Sequence, residues 1–296
     1  MEDFRLFIDD MPPDFSLRAV LGSHGWGSLA PFMVDRAAGW LERVEALRNG
    51  RIVRWRVMDD APGRLTITVD DALDTDESAE VIGIVRRVLS VDQRMDDFYA
   101  ALRPYPDYAW IERAHAGRML ISPTVWEDLA KTLLTTNTTW AMTINMVKRL
   151  NDLGNRHADD TATFPTPAQI AAMPFEAFHA HIRAGYRGAY LYALAHAITD
   201  GTLEPERWRD PALPSAEVYR ALKGIKGFGD YAAGAMLRLL ERADQLGLDS
   251  VCRAMYARHF NGGAPANDRE IAAYYARFGA WGGLAVWMDV MREWLD

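Results

Sequence analysis

The stretch that most constrains this chain runs from Leu222 to Arg253, LKGIKGFGDYAAGAMLRLLERADQLGLDSVCR. Its pattern predicts a helix end, a tight turn, a second helix, a short loop and the start of a third helix. The turn is Ile225-Lys226-Gly227-Phe228-Gly229, in which two glycines flank one apolar residue and permit positive φ and close backbone approach. The segment from Asp230 to Leu240 is rich in Ala and Leu and has good helix propensity. A helix entered through a glycine turn presents unpaired N–H groups and its positive dipole end, which suits one phosphate. Beyond it, Asp249 or Ser250 can cap a helix that continues through Arg258.

With 296 residues, the chain has room for one large domain or two ordinary ones, and 49% hydrophobic residues are ample for a core. No apolar run approaches the roughly 18 residues of a membrane span. The start, MEDFRLFIDDMPP, is acidic and lacks the basic and apolar regions of a signal peptide, so a cytoplasmic location is expected. A single cysteine, Cys252, excludes an internal disulfide and a four-cysteine iron–sulfur cluster. The net charge of −8 weighs against nucleic-acid binding, because phosphate contacts dominate such affinity. Distribution matters more than the sum. Acids concentrate early (Asp9, Asp10, Asp59, Asp60, Asp70, Asp71), whereas Lys223, Lys226, Arg238, Arg253 and Arg258 recur around the hairpin. A locally basic face on an acidic protein is therefore expected.

Residues 1–112 read as a small α+β domain with an antiparallel sheet. Phe4 to Ile8 is a short strand pattern, and Arg51–Val57 and Arg64–Val69 alternate on either side of the turn Asp60-Ala61-Pro62-Gly63. Pro31 to Leu47 fits helix or strand equally. Ser78–Leu89 and Asp92–Leu102 are helical in pattern, and no catalytic constellation is visible in this half. Residues 113–296 read as all-α. Ser122-Pro123 is a helix start with Ser as N-cap. The run Thr135-Thr136-Asn137-Thr138-Thr139 is made of poor helix formers, so a break is expected there, with a new helix from Thr138 or Thr139 to Leu150. Gly185-Tyr186-Arg187-Gly188 predicts a turn before a helix from Ala189 to Thr199, and Ser215 is expected to cap the helix leading into the hairpin.

The hairpin with its following carboxylate resembles the signature of the helix-hairpin-helix/Gly-Pro-Asp superfamily of base-excision DNA glycosylases. The family hairpin is Leu-Pro-Gly-apolar-Gly; here the glycines and apolar residues match, and Lys226 stands in place of the proline. Leu248-Asp249-Ser250 matches the family's Val-Asp-Thr-like sequence, and Asp249 lies 18 residues after Tyr231, a spacing that fits. The resemblance covers residues 113–296 well and the N-terminal domain weakly, and is strongest to the bacterial 3-methyladenine DNA glycosylase II group. It implies a mostly α fold: the α+β domain 1–112, then a helical glycosylase domain 113–296 with its cleft between helical subdomains, the hairpin at 222–240 and the catalytic loop at 246–250.

The resemblance also assigns roles. Asp249 is the catalytic carboxylate. Tyr231 takes the place of the lysine that forms a Schiff base in bifunctional members, so water is the expected nucleophile and no lyase activity follows. Tyr231 and Trp281 are expected at the base pocket, where an electron-rich ring favours cationic alkylated purines. Asn137 is expected to fill the gap left by the extruded base. Lys226, Gly227 and Gly229 are expected on the DNA backbone, and the carbonyls of Lys223, Ile225 and Phe228 around a structural Na⁺ or K⁺. No cofactor is required. The implied partner is double-stranded DNA carrying a damaged base, bound by a monomer. Two other readings stay open: a glycosylase for deaminated or oxidised bases, and a non-catalytic helix-hairpin-helix DNA-binding protein in which Asp249 only caps a helix.

Overall fold

The computed structural model describes residues 4–295. Five strands, β1 (Phe4–Ile8), β2 (Met33–Asp35), β3 (Trp40–Ala46), β4 (Ile52–Ala61) and β5 (Arg64–Val69), form one antiparallel sheet in the order β1-β5-β4-β3-β2. The expected β4–β5 hairpin turns at Pro62-Gly63, with Gly63 at φ 77°. The undecided segment 31–47 is strand. Its inner face is Leu41, Arg43 and Glu45, paired with Val57, Trp55 and Val53. Two charges on a face that points inward hid the apolar alternation by which half-buried strands are recognised.

The helices are α1 (Leu17–Leu21), α2 (Thr75–Val88), α3 (Asp96–Leu102), α4 (Ala109–Arg113), α5 (Val125–Thr135), α6 (Trp140–Asn151), α7 (Pro167–Ala171), α8 (Phe175–Ile182), α9 (Tyr186–Thr199), α10 (Ser215–Gly224), α11 (Asp230–Leu239), α12 (Ser250–Phe260), α13 (Asp268–Tyr275) and α14 (Gly282–Leu295). One continuous apolar core runs from the sheet into the helices. Among the described residues no helix is long and apolar enough to cross a membrane.

Three helix starts differ from expectation. At α5 the cap is Thr124, whose Oγ1 accepts the Glu127 N–H at 3.2 Å. Ser122 instead gives its N–H to the buried Asp128 carboxylate at 3.1 Å. Ser215 is the first residue of α10 and does not cap it. Tyr186 already belongs to α9, so Gly188 lies inside that helix, against the His179 ring.

The sheet is joined to α5 by buried charge. Arg43 donates from both terminal nitrogens to Glu127 at 2.8 and 2.6 Å and from Nε to Glu45 at 2.6 Å. Lys131, one turn along α5, gives Nζ to Glu127 at 2.6 Å. Burial alone would raise the Glu127 pKa, but the Arg43 and Lys131 cations hold it down at about 2. Every charge here has an opposite partner, the condition under which such a cluster is tolerated in an interior.

Candidate active site

The hairpin is built by local rules. Ile225 N–H closes on Leu222 O and Phe228 N–H on Ile225 O, both at 3.0 Å. Gly227 sits at φ 96°, and a Cβ there would meet Leu133 and the Tyr190 ring. Gly229 is extended at φ −91°, so one glycine of the pair needs its conformational freedom, not both. Phe228 is buried and anchors the turn. No side chain caps α11, so the N–H groups of its first turn remain open.

The loop after α11 is pressed against that helix by glycines. A Cβ on Gly234 would overlap the Gly247 backbone, and one on Gly247, at φ 57°, would meet Gly234 and Ala235. From the other side, Gly283 at the start of α14 donates its N–H to Ala243 O at 2.7 Å. Arg238 donates Nη1 to Leu246 O at 2.5 Å. The loop thus delivers Asp249 at a fixed place, half-buried, as N-cap of α12. Its Oδ1 accepts the Cys252 N–H at 2.7 Å, and the Cys252 thiol, raised in pKa chiefly by burial, lies against the same carboxylate, which helps to raise it further.

Asp249 and Tyr231 line one cleft of about 1420 Å³, together with Gly227, Gly229 and Asn137. Tyr231 lies in the first turn of α11 and shares a hydrogen bond with Thr135 Oγ1 at 3.2 Å; burial pushes its hydroxyl pKa up. Asn137 occupies the expected break between α5 and α6, at φ 48°. Arg187 is buried and donates to Thr136 O and Asn137 O, both at 2.7 Å. It closes the end of α5 and leaves the Asn137 side chain exposed, within 3.2 Å of the Tyr186 hydroxyl.

A further wall comes from the N-terminal domain, in which the sequence shows no site. His24, Gly25, Trp26, Ser28 and Arg36 line the cleft. His24 is buried beside Trp26 and bonds through Nε2 to Leu120 O; burial drives its pKa down to about 3, so it is neutral near pH 7. Trp26 is fixed by its Nε1 on Asp128 at 2.8 Å. The signal was the glycine-spaced run Ser23-His24-Gly25-Trp26-Gly27-Ser28, which matches no motif taken alone.

Other expected residues lie elsewhere. Trp281 does not line the cleft; its ring packs on Phe98 of α3 at 5.4 Å. Trp287, six residues along, takes that wall, with Nε1 on Ser23 O at 2.8 Å. Lys226 is exposed outside the cleft lining, with Nζ 5.2 Å from the Tyr190 ring. The expected basic face is largely neutralised: Lys223 pairs with Asp230 at 2.7 Å, Arg253 with Asp268 at 2.8 Å, and Arg238 is buried. Of the carbonyls expected to hold a cation, that of Ile225 already accepts Phe228 N–H, which leaves one lone pair, and that of Lys223 lies in the last turn of α10. Oxygen ligands of this kind suit a weakly held Na⁺ or K⁺. Among the described residues no His, Cys, Asp and Glu cluster could hold a metal.

No family model matches the chain, and no curated protein matches it by sequence. Solved structures do. The 3-methyladenine DNA glycosylase of Archaeoglobus fulgidus superposes with a TM-score of 0.75 at 18% identity, covering 98% of each chain. MBOgg1 in complex with a low-affinity DNA ligand gives 0.74 at 18% identity over 99% of both chains. The 8-oxoguanine glycosylase/lyase of Clostridium acetobutylicum gives 0.71 at 16% identity, covering 99% of this chain and 98% of that one. The shared architecture spans both the sheet and the helices, and the chain therefore has the DNA glycosylase fold that its hairpin and Asp249 led one to expect.

Proposed function

We propose that this protein is a monofunctional DNA glycosylase that binds double-stranded DNA as a monomer, extrudes a damaged base into the cleft and hydrolyses its N-glycosidic bond. The observation that carries the reading is Asp249: the cap of α12 holds its carboxylate in place, no cation pairs with it among the described residues, and the cleft it lines also holds Tyr231. As the C1′–N bond breaks, the base leaves with the electron pair and the sugar gains oxocarbenium character, which a fixed carboxylate stabilises. Water then bonds to C1′ and gives its proton to the Asp249 carboxylate or to solvent. Tyr231 has no amine, so no Schiff base forms with the sugar. Asn137, exposed at the cleft, fills the space left in the duplex. The open N–H groups at Gly227, Gly229 and the first turn of α11 take a phosphate. A Na⁺ or K⁺ on the Lys223, Ile225 and Phe228 carbonyls would supply positive charge for the same backbone contact.

The similar solved structures include glycosylases titled for 3-methyladenine and for 8-oxoguanine, so fold does not choose the base. An alkylated, cationic purine is favoured by stacking on Tyr231, a gain of about 0.5–2 kcal/mol. One observation favours the second reading, an uncharged oxidised or deaminated base: the buried Arg238 cation beside the same pocket. A like charge near the pocket opposes the binding of a cationic base and works against the stacking gain.

The test is base release from duplexes carrying single lesions, with and without alkali, for wild type and Asp249→Asn. We expect strand breakage only after alkali and a loss of about 10²–10³ in rate for the variant. Thermal stability should be unchanged, because Asn caps a helix as well as Asp. DNA binding with no release from any lesion would leave a non-catalytic DNA-binding protein.

A further inference from the structure

Among the described residues three tryptophans line the cleft, and two of them are fastened. Trp26 is buried with Nε1 on Asp128, and Trp287 donates Nε1 to Ser23 O. Trp140 differs. It is the first residue of α6, just after the Thr139 cap, and 41% of it is exposed. Its Nε1 makes no hydrogen bond to a described residue, and no described ring or cation stacks on it. What seats the indole is Gly25 of the N-terminal domain. A Cβ there would run into the six-membered ring of Trp140. Gly25 is not among the glycines with positive φ, so this close approach, and not a left-handed backbone, accounts for the absence of a side chain.

Single exposed apolar residues are ordinary, but here they gather at one place. Of the large hydrophobic residues left exposed, Trp140 and Val251 line the cleft, Met142 stands in the same turn as Trp140, and Tyr186 meets Asn137. Arg36 brings a cation to the same cleft and forms no ion pair with any described carboxylate. An open aromatic ring beside an unpaired positive charge is the combination by which proteins hold an unpaired nucleotide.

We propose that Trp140 is a base-stacking residue of the cleft: the extruded base lies against its exposed indole, and Gly25 is the seat that holds the ring there. Stacking asks for an aromatic face and not for a pattern of donors and acceptors. The contact therefore accepts bases of different edge chemistry and favours a purine, whose two fused rings offer the larger face. It acts on the base itself, whereas the open N–H groups of the hairpin act on the phosphate that every nucleotide carries.

This assignment rests on the glycosylase reading, and its test separates the two. Of duplexes carrying hypoxanthine, 8-oxoguanine or 3-methyladenine, the one from which wild type releases base fastest is chosen. It is compared with the same duplex carrying a tetrahydrofuran abasic analogue, which has the phosphates and the gap but no base. Affinities are measured in the Asp249→Asn background, so that the base stays on its sugar. Trp140→Ala should weaken binding of the lesion duplex about tenfold and leave the abasic duplex within about twofold, and Trp140→Phe should keep most of the affinity. An equal loss on both duplexes would overturn the assignment, because Trp140 would then touch only what they share, the duplex stack or the backbone. No loss on either overturns it as well. Should Trp140→Ala not fold, Gly25→Ala decides, because it displaces the ring and keeps the tryptophan. A loss confined to the lesion duplex then supports the assignment, and equal effects on the two duplexes overturn it. If no lesion is released by wild type, the glycosylase reading falls, and Trp140 is judged on single strands, oligodeoxyadenosine against an equally long strand of the abasic analogue. A loss in Trp140→Ala confined to the first supports stacking, and equal effects overturn it.

Discussion

Two regions of this molecule bury arginine, and they do so in opposite ways. At the seam between sheet and α5, Arg43 spends all three guanidinium nitrogens on Glu45 and Glu127, and Lys131 completes the charge balance. Beside the cleft, Arg238 spends one nitrogen on a backbone carbonyl and meets no carboxylate partner among the described residues. The carboxylates differ in the same way. Glu127 is saturated by Arg43 and Lys131, whereas Asp249 has no ion-pair partner among the described residues. A region whose polar groups are all satisfied holds the fold together. A region whose charges lack ion-pair partners keeps binding capacity for something that arrives later.

The sharpest way to break the contrast is at its structural end. Glu127→Ala strands Lys131 as an uncompensated buried cation and leaves Arg43 with Glu45 alone, and we expect a loss of about 3–5 kcal/mol in urea unfolding. Asp249→Asn should leave unfolding untouched, so equal losses in the two variants would erase the distinction. Next is Gly234→Ala, which forces α11 away from the Gly247 backbone and displaces the loop that carries Asp249. A shift on the order of 1 Å at the reacting groups costs about 10² in rate, so single-turnover base release should fall well before DNA binding does.

A smaller effect sharpens the N-terminal wall of the cleft. The folded pKa of His24 is about 3, well below the ordinary value of 6.5, so the unfolded chain binds its proton first as pH falls. Its contribution is whole above pH 6.5 and is lost progressively below, by about 2 kcal/mol at pH 5. Asp289 acts in the opposite sense: burial raises its folded pKa to about 6, so the native state gains as pH falls through that value. The difference between wild type and His24→Gln in urea unfolding at pH 7 and pH 5 therefore isolates the histidine. The smallest effect belongs to Lys226→Ala, which should weaken duplex binding by less than about 1 kcal/mol and lower the slope against log salt by roughly one.

Much of the local structure was legible because it follows from short-range rules. The hairpin glycine at Gly227, the break at Thr136-Asn137, the capping of α12 by Asp249 and the β4–β5 turn each depend on residues within a few positions of one another. Strand β3 was not legible, because the partners that make Arg43 acceptable inside lie 84 residues away on α5. Trp281 and Trp287 sit six residues apart on different faces of one chain segment, and periodicity cannot say which of the two faces the cleft and which faces α3. Arg238 looked like surface charge, because a sequence shows the charge of a residue and not the dielectric around it.

The amino-acid order by itself determined the helix-hairpin-helix, the place of Asp249 beyond it, the two-part α+β and all-α layout, and the want of a lysine at Tyr231. Those depend on backbone propensities, glycine conformations and spacing, which act along the chain. Tertiary structure alone decided that the loop around His24 closes one side of the cleft, that Trp287 and not Trp281 faces it, that Lys223 and Arg253 are neutralised, and that Arg238 is buried with no direct ion pair among the described residues. Burial and electrostatic pairing are properties of what surrounds a side chain in space, and they exist only once distant segments have met.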